Sequence, residues 1–66
     1  MHEADADALR ALVHDLHTPL TLVEGFSDLL VRRGAELTDE QREEYAQRIA
    51  DAARELRALV DRAAGS

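Results

Sequence analysis

The sequence predicts an all-α fold, a two-helix antiparallel hairpin that homodimerises into a four-helix bundle. Apolar residues recur at alternating spacings of four and three in two long segments, which is the heptad spacing of packed helices. One strong turn signal separates the segments. The chain has 66 residues and no cysteine, and so small a core without disulfides gains too little from burial to stabilise a lone hairpin. Oligomerisation is therefore the expected route to stability.

The first helix is predicted over about residues 5–33, and its apolar seam keeps its phase through Pro19. A second apolar row widens the apolar arc after the proline. A helix that touches one neighbour needs only a narrow seam, so a wide arc indicates contact with two neighbours. The seam consists of Leu9, Val13, Leu16, Leu20, Val23, Ser27 and Leu30, and the second row of Leu22, Phe26 and Leu29.

Pro19 leaves two interpretations of this segment open. Proline has no N–H, so the carbonyl of Asp15 loses its helical partner and a continuous helix would bend here. Alternatively, Thr18 is an N-cap and Pro19 the first residue of a new helix, which would make three helices. The unbroken phase favours the continuous, bent helix, as does Thr21, where a capping box would have Glu or Gln.

The linker is predicted at residues 34–38. Arg32 and Arg33 place cations at the negative end of the helix dipole, and Gly34 is free to adopt the left-handed backbone that ends many helices. Thr38 then opens a capping box with Gln41.

The second helix is predicted over about residues 39–63. Two pairs, Glu44 with Arg48 and Asp51 with Arg54, have the spacing of exposed ion pairs on a helix. The apolar seam consists of Tyr45, Ile49, Ala52, Leu56, Leu59 and Ala63, and Ala46, Ala53 and Val60 broaden it.

The charge of the chain limits its partners. Fourteen acidic residues stand against eight basic ones, a net charge of −6, which argues against nucleic acid or an anionic membrane surface as the partner. No apolar run approaches the roughly 20 residues of a membrane span, and no signal peptide is visible. We expect a cytoplasmic location without membrane insertion of this segment.

The remaining side of the first helix is a polar stripe around His14. An exposed imidazole is a usable nucleophile near neutral pH. Asp15 can hold one ring nitrogen protonated and so raise the nucleophilicity of the other. Thr18, one turn after His14, can hydrogen-bond a water or an oxyanion. The polar stripe consists of Asp7, Arg10, His14, Thr18, Thr21, Gly25, Asp28 and Arg32.

The segment HDLHTPL, from His14 to Leu20, resembles the H-box of bacterial sensor histidine kinases, whose usual form is His, Glu or Asp, Leu, Arg, Thr, Pro, Leu. With the capped second helix, the resemblance to that family's dimerisation and histidine-phosphotransfer domain covers residues 5–63. It implies that His14 is the phospho-acceptor, which receives the phosphoryl group of ATP and passes it to an aspartate of a response regulator in two-component signalling. It also implies that Asp15 acts as general base, that Thr18 positions water for phosphatase activity, and that Pro19 bends the helix.

The resemblance also implies which partners the chain needs. The family's ATP-binding domain has Gly-rich segments and an asparagine-bearing box, which have no room in 66 residues. ATP and magnesium would therefore be bound by another domain, and the chain would neither hold a cofactor nor phosphorylate itself alone. The expected partners are a second copy, that ATP-binding domain and the receiver domain of a response regulator. The chain would be a domain of a cytoplasmic or membrane-bound sensor kinase, a transferase, or a free-standing phosphotransfer protein.

Two features keep alternatives open. His17 stands where the family usually has arginine, so a guanidinium able to bind phosphate is absent, and the strength of one activity stays open. His14 and His17 are also spaced as a metal pair, but no third ligand is placed with them, so no metal site is expected. The alternative function is a structural hairpin that dimerises and binds another helix without phosphoryl chemistry. The polar stripe favours the phosphotransfer function, because a passive bundle has no need for it.

Overall fold

The computed structural model describes residues 3–65, and the side chains of residues 5–65, as an all-α helical hairpin, as predicted. Helix α1 spans Glu3–Arg33, a 3₁₀ turn spans Gly34–Glu36, and helix α2 spans Asp39–Gly65. The hairpin is a rod of 51 × 19 × 11 Å. Neither described helix is apolar over enough of its length to cross a membrane.

Helix α1 runs without interruption through Pro19, so the three-helix interpretation is wrong. The proline ring is less than 2% exposed. Among the side chains of residues 5–65, only Pro19 and Ala52 are buried, and in a two-helix hairpin the proline ring can be buried only on the side that faces α2. Proline inside a helix costs on the order of 3 kcal/mol, and burial of its ring offsets part of that cost.

The turn between the helices is fixed by polar contacts. The predicted capping box is confirmed, since the Thr38 N–H donates to Gln41 Oε1 at 2.9 Å and the Gln41 N–H donates to Thr38 Oγ1 at 3.0 Å. The left-handed conformation expected of Gly34 is wrong, because no glycine of the described chain has a positive φ. Instead, the Gly34 carbonyl accepts hydrogen bonds from the Leu37 N–H at 3.3 Å and from Arg42 Nη1 at 3.0 Å.

The two helices are antiparallel. Near the turn, the rings of Phe26 and Tyr45 lie with their centroids 5.2 Å apart. At the other end of the rod, Leu12 of α1 and Leu59 of α2 line one groove. The Phe26–Tyr45 contact shows the register of the hairpin. Because each helix rises about 1.5 Å per residue, residues the same number of positions from Phe26 and from Tyr45, away from the turn, lie at the same level.

Part of the predicted seam of α1 does not pack against α2 within the hairpin. Leu9 is 57% exposed, Val13 56% and Leu20 46%. The apolar arc is wide enough to contain two seams, and periodicity alone does not distinguish the seam that packs within the chain from one available to a neighbour. The side chains of α1 that are at least half-buried along the side facing α2 are Leu12, Leu16, Pro19, Val23, Phe26 and Leu30.

Helix α2 follows its predicted seam more closely. Tyr45, Ile49, Leu56 and Leu59 are half-buried and Ala52 is buried, whereas Ala63 and the flanking Ala46, Ala53 and Val60 are exposed. Both predicted ion pairs on its outer surface are confirmed: Glu44 with Arg48 at 3.7 Å, and Asp51 with Arg54. Exposed pairs of this kind contribute only a few tenths of a kcal/mol each.

Candidate functional site

The candidate site lies on the polar stripe of α1. All eight stripe residues are exposed, as predicted. Two ion pairs stand on the stripe on either side of His14, Asp7 with Arg10 at 3.8 Å and Asp28 with Arg32 at 3.0 Å. These pairs satisfy the neighbouring charges along the stripe and leave the turn around His14 as its accessible centre.

His14 and Asp15 form the core of the site. The side chain of His14 is 90% exposed, that of Asp15 is 59% exposed, and His14 Nδ1 lies 3.6 Å from Asp15 Oδ1. At this distance the two side chains are in electrostatic contact without a hydrogen bond between them. Because the carboxylate is at Nδ1, the other ring nitrogen, Nε2, is left for a reaction partner. So exposed a pair is strongly screened by water and contributes little to stability.

Thr18 and His17 complete the exposed turn. Thr18 follows His14 by four residues, so the two side chains are neighbours on the helix surface. His17 follows His14 by three residues and is exposed as well. The turn therefore presents two imidazoles, one carboxylate and one hydroxyl to solvent.

Pro19 is separated from these groups. Its ring is buried on the side of α1 that faces α2, whereas His14, Asp15 and Thr18 are exposed. The structure thus brings three of the four predicted site residues together within about one turn and places the proline beneath them. The helix bend at Pro19 stays a prediction.

One cation near the site comes from the far end of α2 and was not expected from the sequence. Asp15 and Arg62 line the same groove between the two helices. A hairpin register counted outward from the turn would have placed the end of α2 beside the first half of α1. The other residues that line this groove are Ala8, Leu9, Ala11, Leu12, Leu59 and Ala63.

The spacing of His14 and His17 is also that of a metal-binding pair. Within residues 3–65, the structure holds no group of three or more His, Cys, Asp or Glu side chains arranged for metal binding. His14 and His17 are two ligands on an exposed helix, and stable zinc sites use at least three protein ligands.

Comparison with known families agrees with this geometry. The sequence model of the His Kinase A (phospho-acceptor) domain matches residues 4–63. No curated protein and no solved structure matches the chain. The match covers nearly all of the chain, including the turn that carries His14, and it supports a phospho-acceptor and dimerisation role in histidine kinases. The chain belongs to the His Kinase A (phospho-acceptor) domain family.

Proposed function

We propose that His14 is the phosphorylated residue of this domain, and that it relays a phosphoryl group from ATP to an aspartate of a response regulator. The observation that carries the proposal is the 90% exposure of the His14 side chain with Asp15 Oδ1 at 3.6 Å from Nδ1. A nucleophile that must meet two protein partners in turn has to project from a rigid element into solvent, and a long helix provides that element.

The acceptance step uses Nε2 of His14. This nitrogen attacks the γ-phosphorus of ATP, the N–P bond forms, and the bond from that phosphorus to the oxygen bridging to ADP breaks. Asp15 holds the Nδ1 proton and stabilises the positive charge that develops on the imidazole. In the second step, a carboxylate oxygen of the regulator's aspartate attacks the same phosphorus and the N–P bond breaks, which returns neutral His14.

Thr18 takes part in the removal of phosphate from the response regulator. Its exposed side chain lies one turn from His14, next to the position that a docked aspartyl phosphate would occupy. A water held by the Thr18 hydroxyl attacks that phosphate, and inorganic phosphate and the free aspartate are the products. Acceptance at Nε2 does not need this hydroxyl.

A homodimer is part of the proposal. The chain of 7.3 kDa exposes 5386 Å², whereas a folded monomer of this mass exposes about 4,200 Å². The surplus of roughly 1,200 Å² exceeds the ~800 Å² per partner that a standard protein interface buries. A second hairpin supplies the missing core, and the polar stripe of each copy faces outward from the resulting four-helix bundle.

The remaining partners are protein domains in the cytoplasm. An ATP-binding domain delivers the phosphoryl group together with magnesium, and a receiver domain accepts it. The parent protein is then a protein-histidine kinase, a transferase, of which this domain supplies the acceptor and the dimer. Both partner domains approach the same imidazole, so they bind alternately.

Phosphorylation in trans tests this function. The chain is incubated with the ATP-binding domain of a sensor histidine kinase and γ-labelled ATP, and label that is labile in acid and stable in base is measured. We expect such label on the wild-type chain, because phosphohistidine has this stability pattern.

Two matched variants locate the acceptor. His14→Gln should remove the label, whereas His17→Gln, one turn away and also exposed, should keep it. Label that survives in His14→Gln, or that is lost only in His17→Gln, would refute the assignment. A folded dimer that never takes up label would instead support the structural hairpin.

A further inference from the structure

The hairpin has two open faces of different character. One, here called the apolar face, carries Leu9, Val13, Leu20 and Val31 of α1 with Ala46, Ala53 and Val60 of α2. The other, here called the site-side face, carries Asp15, Leu22 and Leu29 of α1 with Glu44, Arg48, Glu55 and Arg62 of α2. The two faces lie on opposite sides of the plane that contains both helix axes.

The grouping follows from helix geometry. With 3.6 residues per turn, the α1 members of the apolar face lie about 60 to 100° to one side of the line from α1 to α2. The α2 members lie at similar angles from the line that joins α2 to α1, counted in the same rotational sense along the chain. Because the two helices are antiparallel, equal angles counted in this way point to the same face of the hairpin. The structure agrees with the placement of Ala11, Asp15 and Arg62, which have the opposite offset and line one common groove, although Leu9 also reaches that groove near the open end of the rod.

The large hydrophobic side chains of the apolar face are exposed in the single hairpin. Leu9, Val13, Leu20, Val31 and Val60 are 57%, 56%, 46%, 85% and 48% exposed, and they are five of the six large hydrophobic side chains exposed among the described residues. The sixth is Leu22 on the site-side face. On that face, α2 carries charged residues, including the ion pair of Glu44 and Arg48. Burial would have to desolvate these charges, which is unfavourable.

The apolar face is complementary to itself. From the Phe26–Tyr45 contact, Leu20 lies six residues along α1, level with position 51 of α2. A two-fold axis parallel to the rod leaves the height of each residue along the rod unchanged in the second copy. The same rotation brings the apolar face of one copy against the apolar face of the other. Leu20 then meets the partner's Ala53, a large side chain against a small one, which is the interdigitation that closely packed cores need.

From these observations we infer that a second copy packs on the apolar face, which fixes the winding of the bundle. Seen from the turn end, the helices follow each other counterclockwise as α1, α2, the partner's α1 and the partner's α2. This inference rests on the dimer of the proposed function and adds which face forms it. The site-side face, with Asp15 and the groove shared with α2, stays open to the other protein partners.

Cysteine cross-linking tests the winding, since the chain has no cysteine of its own. In the full chain, the double variant Leu20→Cys with Ala53→Cys places two thiols across the inferred interface, where the Cα atoms come within the ~7 Å that a disulfide requires. Within one hairpin the same two side chains project side by side from neighbouring helices and do not meet. We expect mild oxidation to convert most of this variant into a covalent dimer.

The matched control lies on the site-side face. In the double variant Leu29→Cys with Glu44→Cys, the two positions are as far apart along the rod as Leu20 and Ala53 are. Both positions lie on the opposite face of the hairpin, so this pair would cross-link only in a bundle whose helices follow each other clockwise. We expect it to stay non-covalent. Cross-linking of the control pair, or of neither pair in a chain whose solution mass is that of a dimer, would overturn the inference.

Phosphorylation of the same variants under reducing conditions separates the two proposals. Uptake of label together with cross-linking through the site-side pair would overturn the winding and leave the function intact. Cross-linking through the apolar face without any uptake of label would overturn the function and leave the winding intact.

Discussion

Replacing Gly25 by alanine should stabilise the protein. Gly25 lies on the exposed stripe in the interior of α1. Apart from its chain neighbours and the adjacent helix backbone, no heavy atom lies within 4 Å of the Cβ that alanine would add. No glycine of the described chain has a positive φ, so the substitution introduces no backbone strain. Alanine is favoured over glycine inside a helix by about 1 kcal/mol, because it loses less backbone entropy on folding.

The expected change in melting temperature follows from the size of the chain. For a domain of this size, 1 kcal/mol corresponds to a shift of about 4–8 °C. In a dimer, both the gain and the unfolding entropy are doubled, so the expected shift stays the same. Thermal unfolding followed by far-UV circular dichroism, with wild type and Gly25→Ala at equal concentrations, measures it.

Gly65→Ala is the matched control. Gly65 also has open space around its added Cβ, but it is the last residue of α2, where helix ends fray and propensity counts little. We expect a shift within about 1 °C for this variant. An unchanged or lower melting temperature for Gly25→Ala would refute the reasoning, since it would mean that Gly25 contacts something or that α1 is not helical there.

Three further outcomes are expected. Thr18→Ala should accept phosphate normally and slow the removal of phosphate from the regulator; an equal loss in both assays would contradict the separate roles. The melting temperature should rise by about 5 °C for each tenfold increase in protein concentration, as for a dimer that unfolds to two chains, whereas a constant melting temperature with a monomeric mass would exclude the dimer. Thr38→Ala should cost about 1 kcal/mol through loss of the capping box, with Thr38→Ser nearly neutral in the same denaturant titration; a neutral Thr38→Ala would show that the cap adds no stability.

The ends of the helices could be predicted because they depend on local chemistry. The capping box of Thr38 and Gln41 needs only the residues that form it. The conformation of Gly34 could not be predicted in the same way. Its carbonyl accepts a hydrogen bond from Arg42, eight residues away, and this contact exists only once α2 has turned back against α1.

The sequence alone does not show which apolar row of α1 packs against α2 and which is left for another neighbour. Heptad spacing predicts that several rows of α1 are apolar, and Leu12 and Leu20 both satisfy that pattern. Leu12 is half-buried and Leu20 is 46% exposed, a difference that depends on the direction of α2 around α1. That direction is set by the turn, so it is a tertiary property.

The exposure of the candidate site followed directly from the periodicity. His14 lies opposite the apolar rows, and a residue in that position is exposed whichever of those rows faces α2. The place of Arg62 in the groove beside Asp15 needed the hairpin register as well, so it became visible only in the folded chain.

Locating the phosphate on the chain tests the central claim most directly. The chain labelled in trans can be digested at alkaline pH, where phosphohistidine survives. Fragmentation of the resulting peptides in a mass spectrometer then shows which residue carries the phosphoryl group. The candidates include the two described histidines and His2, which lies outside the described residues. A phosphoryl group on His14 alone is the expected result, and a phosphoryl group on His17, on His2 or on an acidic residue in its place would contradict the account.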